Sequence, residues 1–390
     1  MDRGTVEVIR WALIYSAEEM GVALRRSACS PNIKERMDLS CAILSPGGEV
    51  VAQAEHIPVH LGSMPHGLRE TLRYLEERGE RLEPGDVVVV NDPYISGTHL
   101  PDVTALKAVY SGGEVVAYVA CKAHHSDVGG SAPGSLGASA RQLLEEGLVV
   151  PPVKLVRGGR VDRGVMDILL ANTRTPDERE GDLMAQVACL RVGERRVLEL
   201  VERYGREGFL EALSEVLDYG ERVMRARLSS IPEGEYRAED AVELPGGGLA
   251  WIRLRLEARG DSLTLDYSGT DPQVPHPVNA VLGVTLAASH FAVKCVVDPD
   301  SPPNGGAMRP VEVRAPEGCL VNPVRPAPVA GGNVETSQRI ADVVFRALAE
   351  ALPGRVPAAS QGTMNNVAAG GPLPGGGQWA FYELSLIHIS

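Results

Sequence analysis

The sequence predicts a mixed α/β fold, loop-rich and multi-layered, with mixed sheets, β-hairpins and long helices. Segments with helical apolar spacing alternate along the chain with short runs of β-prone residues. Glycine (43 residues) and proline (28) are spread between those segments as turns, not gathered in one low-complexity tract. Two β-prone runs flank Gly112-Gly113, a strong signal for a two-residue hairpin.

Val6, Ile9, Leu13, Met20 and Leu24 recur at helical spacing and predict an amphipathic helix over residues 5–28. Residues 41–44 and 50–54 form a hairpin around Ser45-Pro46-Gly47-Gly48-Glu49, and a histidine-rich loop follows over 55–66. Residues 67–78 read as helix and 87–90 as a buried strand. The Gly-Gly hairpin joins strands 103–110 and 114–121, and 129–137 is a loop of small residues. Residues 177–204 and 206–228 read as a charged helical pair meeting at Gly205, most simply a solvated hairpin. Strands 237–244, 250–257 and 262–267 make a meander, 278–297 a buried helix, and 333–352 a helix capped by Asn333. The domain boundaries that follow are 1–175 (α/β, with the candidate metal site), 176–230 (helical hairpin), 231–383 (second α/β domain) and an anomalous tail, 384–390.

The length of 390 residues allows a large core. A net charge of −13 argues against a nucleic-acid partner, which would need a basic surface. The six cysteines contain no C-x-x-C pair, so neither a zinc knuckle nor a redox motif is expected. Asp2, Arg3, Glu7 and Arg10 do not suit a signal peptide, and His290 and Lys294 interrupt the longest apolar run, so no membrane span is expected. The default location is the cytoplasm, with free thiols.

The hairpin gathers His99, Asp102, His124, His125 and Asp127 at its open end. Imidazoles and carboxylates in that arrangement suggest a divalent metal site. If Gly112 and Gly113 alone set the register, Asp102 faces Ala123 and Pro101 faces His124. Alternation then puts His99 and His124 on one face and Asp102, His125 and Asp127 on the other. Pro101 cannot donate to a ladder, so the strand starts after it and the backbone there is free to turn Asp102 toward the histidines. The favoured ligands are His99, Asp102 and His124, a set that suits Mn, Fe or Zn. Lys122 is a candidate to stabilise an anionic intermediate, or it simply ends a strand. Asp127 is a candidate general base or an outer support for a ligand imidazole, and His125 a further catalytic candidate. His56, His60 and His66 could line a substrate pocket, bind a second metal or support their loop. Asn365 and Asn366, in an amide-rich loop, are candidates for substrate binding.

At these residues the chain resembles the hydantoinase B/oxoprolinase family. That family includes the B subunit of ATP-dependent N-methylhydantoinases, the C-terminal half of 5-oxoprolinase and the alpha subunit of acetone carboxylase. The stretches that carry the resemblance are Asn32-Ile33-Lys34-Glu35-Arg36-Met37-Asp38, His56-Ile57-Pro58-Val59-His60-Leu61-Gly62-Ser63-Met64, Asn91-Asp92-Pro93-Tyr94, Gly97-Thr98-His99-Leu100-Pro101-Asp102 and Ala123-His124-His125-Ser126-Asp127. Asn333-Val334-Glu335-Thr336-Ser337-Gln338-Arg339 and Gln361-Gly362-Thr363-Met364-Asn365-Asn366 add to it, and it spans residues 5–383. The resemblance implies a manganese site on His99, Asp102 and His124. It also implies a hetero-oligomer in which a hydantoinase A/oxoprolinase-type subunit binds ATP and activates the substrate. The expected function is therefore that of a metal-dependent hydrolase of cyclic amide C–N bonds, a B-type subunit acting on a lactam or imide. The alternatives are the alpha subunit of an ATP-dependent ketone carboxylase and an inactive or structural subunit. The sequence Leu384-Ser385-Leu386-Ile387-His388-Ile389-Ser390 departs from the family pattern and reads as a truncated or frame-shifted end.

Overall fold

A computed structural model describes the chain except residues 55, 365, 374 and 385–390, with the backbone alone for 366 and 382–384. Asn365, the side chain of Asn366 and residues 385–390 of the expected tail thus lie outside the described residues.

The chain begins with α1 (Arg3–Ser27), capped by Asp2, whose carboxylate accepts the Thr5 N–H at 3.0 Å. Its buried stripe is Ile9, Leu13, Ala17, Met20 and Leu24. A short α2 (Pro31–Lys34) leads into β1 (Leu39–Leu44) and β2 (Val50–Gln53). Next come α3 (Pro58–Glu76), β3 (Val87–Val90) and α4 (Pro93–Ser96). The hairpin is β4 (Asp102–Ser111) and β5 (Glu114–His124), and β6 (Val153–Arg157), β7 (Arg160–Val161) and α5 (Arg163–Ala171) follow it. Gly112 and Gly113 both take positive φ, 62° and 84°, as the expected tight turn requires. These seven strands form one antiparallel sheet in the order β2-β1-β5-β4-β3-β6-β7.

From Pro58 onward the histidine-rich segment expected as a loop is instead the first half of α3. Pro58 sits at the helix start, where its missing N–H costs nothing, and Pro65 is accommodated inside. The apolar spacing of Leu61, Met64, Leu68 and Leu75, all buried, outweighs the two prolines.

The long helices α6 (Pro176–Tyr204) and α7 (Arg206–Leu228) are also not a solvated pair. Leu183, Val187, Leu190 and Val197 of α6 and Phe209, Leu213, Val216 and Leu217 of α7 join α1 and one face of the sheet in a single core. On the other face of the sheet α3 packs against Ala42, Leu44, Val88, Leu106 and Ala120.

A second, mixed sheet has the order β11-β10-β9-β8. Its strands β8 (Gly234–Glu243), β9 (Leu249–Arg259) and β10 (Ser262–Asp266) form the expected meander. Then come α8 (Leu282–Val297), α9 (Gly305–Met308) and β11 (Val311–Arg314), which pairs parallel to β10. Helix α10 (Thr336–Ala351) and the ribbon β12 (Asn366–Pro372) and β13 (Gln378–Leu384) complete the described chain. Helices α8 and α10 bury Val293, Ile340, Val344 and Leu348 against Ile252, Leu254 and Leu265 of this sheet. Asn333 does not cap α10; it lies in a 3-10 turn (Ala330–Asn333), and Glu335 takes the cap position.

The two halves meet where α3 crosses α8. A Cβ on Gly62 would lie 2.5 Å from Ala287 Cα, and one on Gly283 would lie 2.4 Å from Gly97 Cα. Gly62→Val is therefore expected to destabilise the protein by about 3 kcal/mol, the upper end of overpacking penalties. Urea unfolding checks this, and an unchanged midpoint would contradict the close approach. All six cysteines are free thiols, and no helix among the described residues is long and apolar enough to cross a membrane.

Candidate metal centre

A β-bulge builds the site. The Gly-Gly register holds only next to the turn, where Tyr110 pairs with Val115 and Ser111 with Glu114. Between Val109 and Tyr110 the register slips by one residue, so Val109 pairs with Ala117 and Asp102 with His124. The expected pairing of Asp102 with Ala123, and of Pro101 with His124, is corrected by this slip. One inserted residue moves Asp102 onto the face that carries His124.

Strand β1 lies on the other side of β5. Asp38, just before β1, accepts the His124 N–H on its carbonyl at 3.0 Å, which sets its carboxylate beside that histidine. His99 enters from the tight turn before β4, where its carbonyl accepts the Asp102 N–H at 3.1 Å. His60, on the first turn of α3, reaches down from above.

Three imidazole nitrogens converge on one carboxylate oxygen. Asp102 Oδ1 lies 3.2 Å from His99 Nε2, 3.2 Å from His124 Nδ1 and 3.3 Å from His60 Nε2. Asp38 lies 3.8 Å from His60 Nε2 through Oδ1 and 3.7 Å from His124 Nδ1 through Oδ2. His60, His99, Asp102 and His124 are all at most 3% exposed. Burial works to raise the Asp102 carboxyl, but His99, His60 and His124 hold it well below the usual carboxylate range. Burial works to lower His99, and the Asp102 charge overcomes it and raises that imidazole.

The tautomer of His99 follows from its partner. Its Nδ1 donates to the Ala330 carbonyl at 3.2 Å, which turns Nε2 toward the cluster as the nitrogen that a cation would take. Asn333 Nδ2 donates to the outer oxygen of Asp102 at 3.4 Å. His99 Nε2, an Asp102 oxygen and His124 Nδ1 lie within 4.8 Å of one another, so the three could hold a cation. Crowded imidazole nitrogens beside two carboxylates are a donor set that a divalent ion would satisfy.

The other expected site residues lie elsewhere. Lys122 is on the same face, two residues before His124, with Nζ donating to Ser63 Oγ (2.8 Å), Ser96 O (2.9 Å) and Thr98 Oγ1 (3.0 Å). Burial lowers its pKa to about 7, against the raising effect of Asp102. His125 points to the opposite face, with Nε2 3.0 Å from Gln186 Oε1 in α6. Asp127 clamps a loop, accepting from Gly129 N (3.0 Å), Gly134 N (3.1 Å) and the Arg174 guanidinium (2.8 Å). The structure therefore does not bring His125 or Asp127 to the cluster. His56 accepts the Cys41 N–H at 3.2 Å and packs on Gly21 of α1. His66 is lowered to about 4 by burial and by Arg69. Sequence reasoning gave Asp38 no site role and read Asn333 as a helix cap; both lie inside the stretches of family resemblance.

The family model for hydantoinase B/oxoprolinase matches residues 2–387. The chain belongs to the hydantoinase B/oxoprolinase family. An uncharacterised protein of Methanocaldococcus jannaschii is 49% identical over 98% of this chain and 67% of its own length. Caprolactamase subunit beta of Pseudomonas jessenii is 33% identical over 92% of this chain and 61% of its own. The crystal structure of the ATP-dependent caprolactamase from that organism has a TM-score of 0.87 at 32% identity, over 95% of this chain and 64% of the other. A nucleotide-free acetone carboxylase structure reaches a TM-score of 0.90 at 19% identity, over 97% of this chain and 52% of the other, which shows a shared fold. This family member thus spans between 27% and 67% of the length of the curated relatives it matches.

Proposed function

We propose that this chain is the metal-holding B-type subunit of an ATP-dependent cyclic amide hydrolase, acting on a lactam or imide activated by an ATP-binding A-type subunit. The observation that carries this reading is the convergence of His60, His99 and His124 on Asp102 Oδ1. His99, Asp102 and His124, with Asp38 alongside, would hold a divalent ion, with manganese favoured and iron or zinc also suited to the set. Such an ion, when bound, polarises a carbonyl and lowers the pKa of water.

The chain's own residues orient and enclose the reaction. The Ala330 carbonyl keeps His99 Nε2 inward. Asn333 steadies the outer oxygen of Asp102. Lys122, two residues before His124 on the same face, ties Ser63 of α3 and Thr98 to the strand through its Nζ, and burial lowers its pKa to about 7. The burial of every donor keeps bulk water away from the reacting groups.

The names of the relatives support the hydrolase over the carboxylase: caprolactamase subunit beta is 33% identical, whereas the acetone carboxylase likeness at 19% reflects fold. The name of caprolactamase subunit beta also supports a hetero-oligomer with a second subunit. The location proposed is the cytoplasm, where ATP is supplied and free thiols persist.

The test is to purify the chain with a candidate ATP-binding subunit and assay 5-oxoproline, hydantoin and caprolactam. Ring opening that needs ATP, both chains and divalent metal, and that His99→Ala abolishes, is the expected result. Carboxylation of acetone with bicarbonate, without ring opening, would transfer the site to the carboxylase. A chain that takes up no metal and opens no ring would be structural.

A further inference from the structure

Glu146 is 1% exposed and follows the 3-10 turn Leu143–Glu145, which docks on residues 326–330. Its Oε1 accepts two backbone N–H groups, from Val329 at 2.8 Å and Ala330 at 2.9 Å. Its Oε2 has no partner among the described residues. The same segment is pinned by Leu143 N–H to Pro326 O at 2.9 Å and by Tyr94 Oη–H to Ala327 O at 2.8 Å. On the far side, Gly332 N–H bonds Pro277 O at 3.1 Å. Ala330 is thus held on both sides, and its carbonyl is aimed at His99 Nδ1, 3.2 Å away.

We infer that Glu146 is a positioning residue for the metal centre: through the backbone of Ala330 it fixes the ring orientation and tautomer of His99. This rests on the metal-site reading above. Two buried N–H groups at Val329 and Ala330 need an acceptor. Supplying both from one carboxylate oxygen locks the peptide that precedes the His99 acceptor. A backbone carbonyl that accepts Nδ1–H selects the tautomer whose Nε2 lone pair can take a cation. Without Glu146 the segment would turn its N–H groups toward other acceptors, the Ala330 carbonyl would swing, and His99 could protonate on either nitrogen. The side chain touches neither the cation nor substrate.

The experiment compares Glu146→Ala, Glu146→Asp and Glu146→Gln with the parent in two readouts. One is chelator competition for Mn2+ and Zn2+. The other is the 15N signature of the His99 imidazole in the metal-free protein, at a pH high enough for the ring to be neutral. Glu146→Ala is expected to weaken metal affinity by roughly 10- to 100-fold, the range for losing an outer partner of a ligand histidine. It should also replace the single His99 tautomer with a mixture. Glu146→Gln keeps an acceptor oxygen in place and should stay within about threefold of the parent. If Glu146→Ala does not fold, Glu146→Asp, which withdraws the carboxylate by one methylene, carries the test with a loss of roughly tenfold.

Parent-like metal affinity and tautomer in the alanine variant, or in the aspartate variant where it stands in, would overturn the proposal. So would a lowered melting temperature with both readouts unmoved, which is all that a loop support would produce. A parent chain that binds neither ion would defeat the metal reading instead, and the imidazole signature would still decide whether Glu146 positions His99.

Discussion

Asp102→Asn is expected to lower divalent-metal affinity by more than roughly 100-fold, beyond the loss that follows from removing an outer partner alone. The substitution keeps the shape of the side chain and removes its charge. That charge is the point on which His60, His99 and His124 converge at 3.2–3.3 Å. An amide offers one weak acceptor where the carboxylate offers a full negative charge, and an ion in a buried site needs that charge more than one in water does. The readout need not be activity. Metal at about 100 times the parent's Kd should stabilise the parent by about 2.7 kcal/mol and the variant by less than about 0.4 kcal/mol. Asp38→Asn should weaken binding about tenfold, comparable to losing an outer partner, because its carboxylate stands farther from the imidazoles. Metal uptake by Asp102→Asn at the parent's affinity would remove Asp102 from the ligand set and with it the reading of the site.

Much of this centre was legible because it is local. His99, Asp102 and His124 lie on one hairpin, and the positive φ values of Gly112 and Gly113 confirm the turn that brings the strand ends together. The bulge between Val109 and Tyr110 was not legible. Val109 and Tyr110 both suit a regular strand, and nothing in their neighbours marks an extra residue on the partner. Counting from the turn therefore placed Asp102 one position off, on the wrong face. The remaining members come from afar. His60 sits on a helix whose prolines read as loop, and its direction depends on burying Leu61, Met64 and Leu68. Asp38, Glu146 and Asn333 arrive through a neighbouring strand, a docked turn and a 3-10 turn. No spacing rule links such positions, because tertiary packing alone brings them together.

Periodicity likewise found α6 and α7 but not their environment. Charged residues on both helices suggested solvent on all sides. Yet Leu183, Val187, Phe209 and Leu213 form a stripe that the sheet and α1 cover. A helix needs apolar residues on about a third of its surface to be a core element, so a low average hydrophobicity does not make it a solvated one. The same one-sidedness separates the two adjacent histidines of β5's end, His124 facing the Asp102 cluster and His125 facing α6.

That separation yields a second large effect. His125→Gln is expected to remove one share of the protein's acid sensitivity. His125 is 1% exposed, and burial, helped by the nearby Arg179 charge, pushes its pKa down from 6.5 to about 4. Its Nε2 lies 3.0 Å from Gln186 Oε1, while Gln186 donates to Val103 O at 2.8 Å. Between pH 6.5 and about 4 the unfolded chain binds a proton at this position that the folded chain refuses. The unfolded state binds more protons there, so stability falls as the pH drops through that window. The shift corresponds to about 3 kcal/mol, fully lost below about pH 4. Glutamine can present an amide N–H where Nε2 stands but takes up no proton. Carboxylates that titrate in the same range do so in both proteins and cancel in the difference. Urea unfolding at steps from pH 7 to pH 4 should therefore show the variant gaining on the parent by about 3 kcal/mol. Parallel curves would mean that His125 is charged inside the fold, which would return it to the candidates for proton transfer.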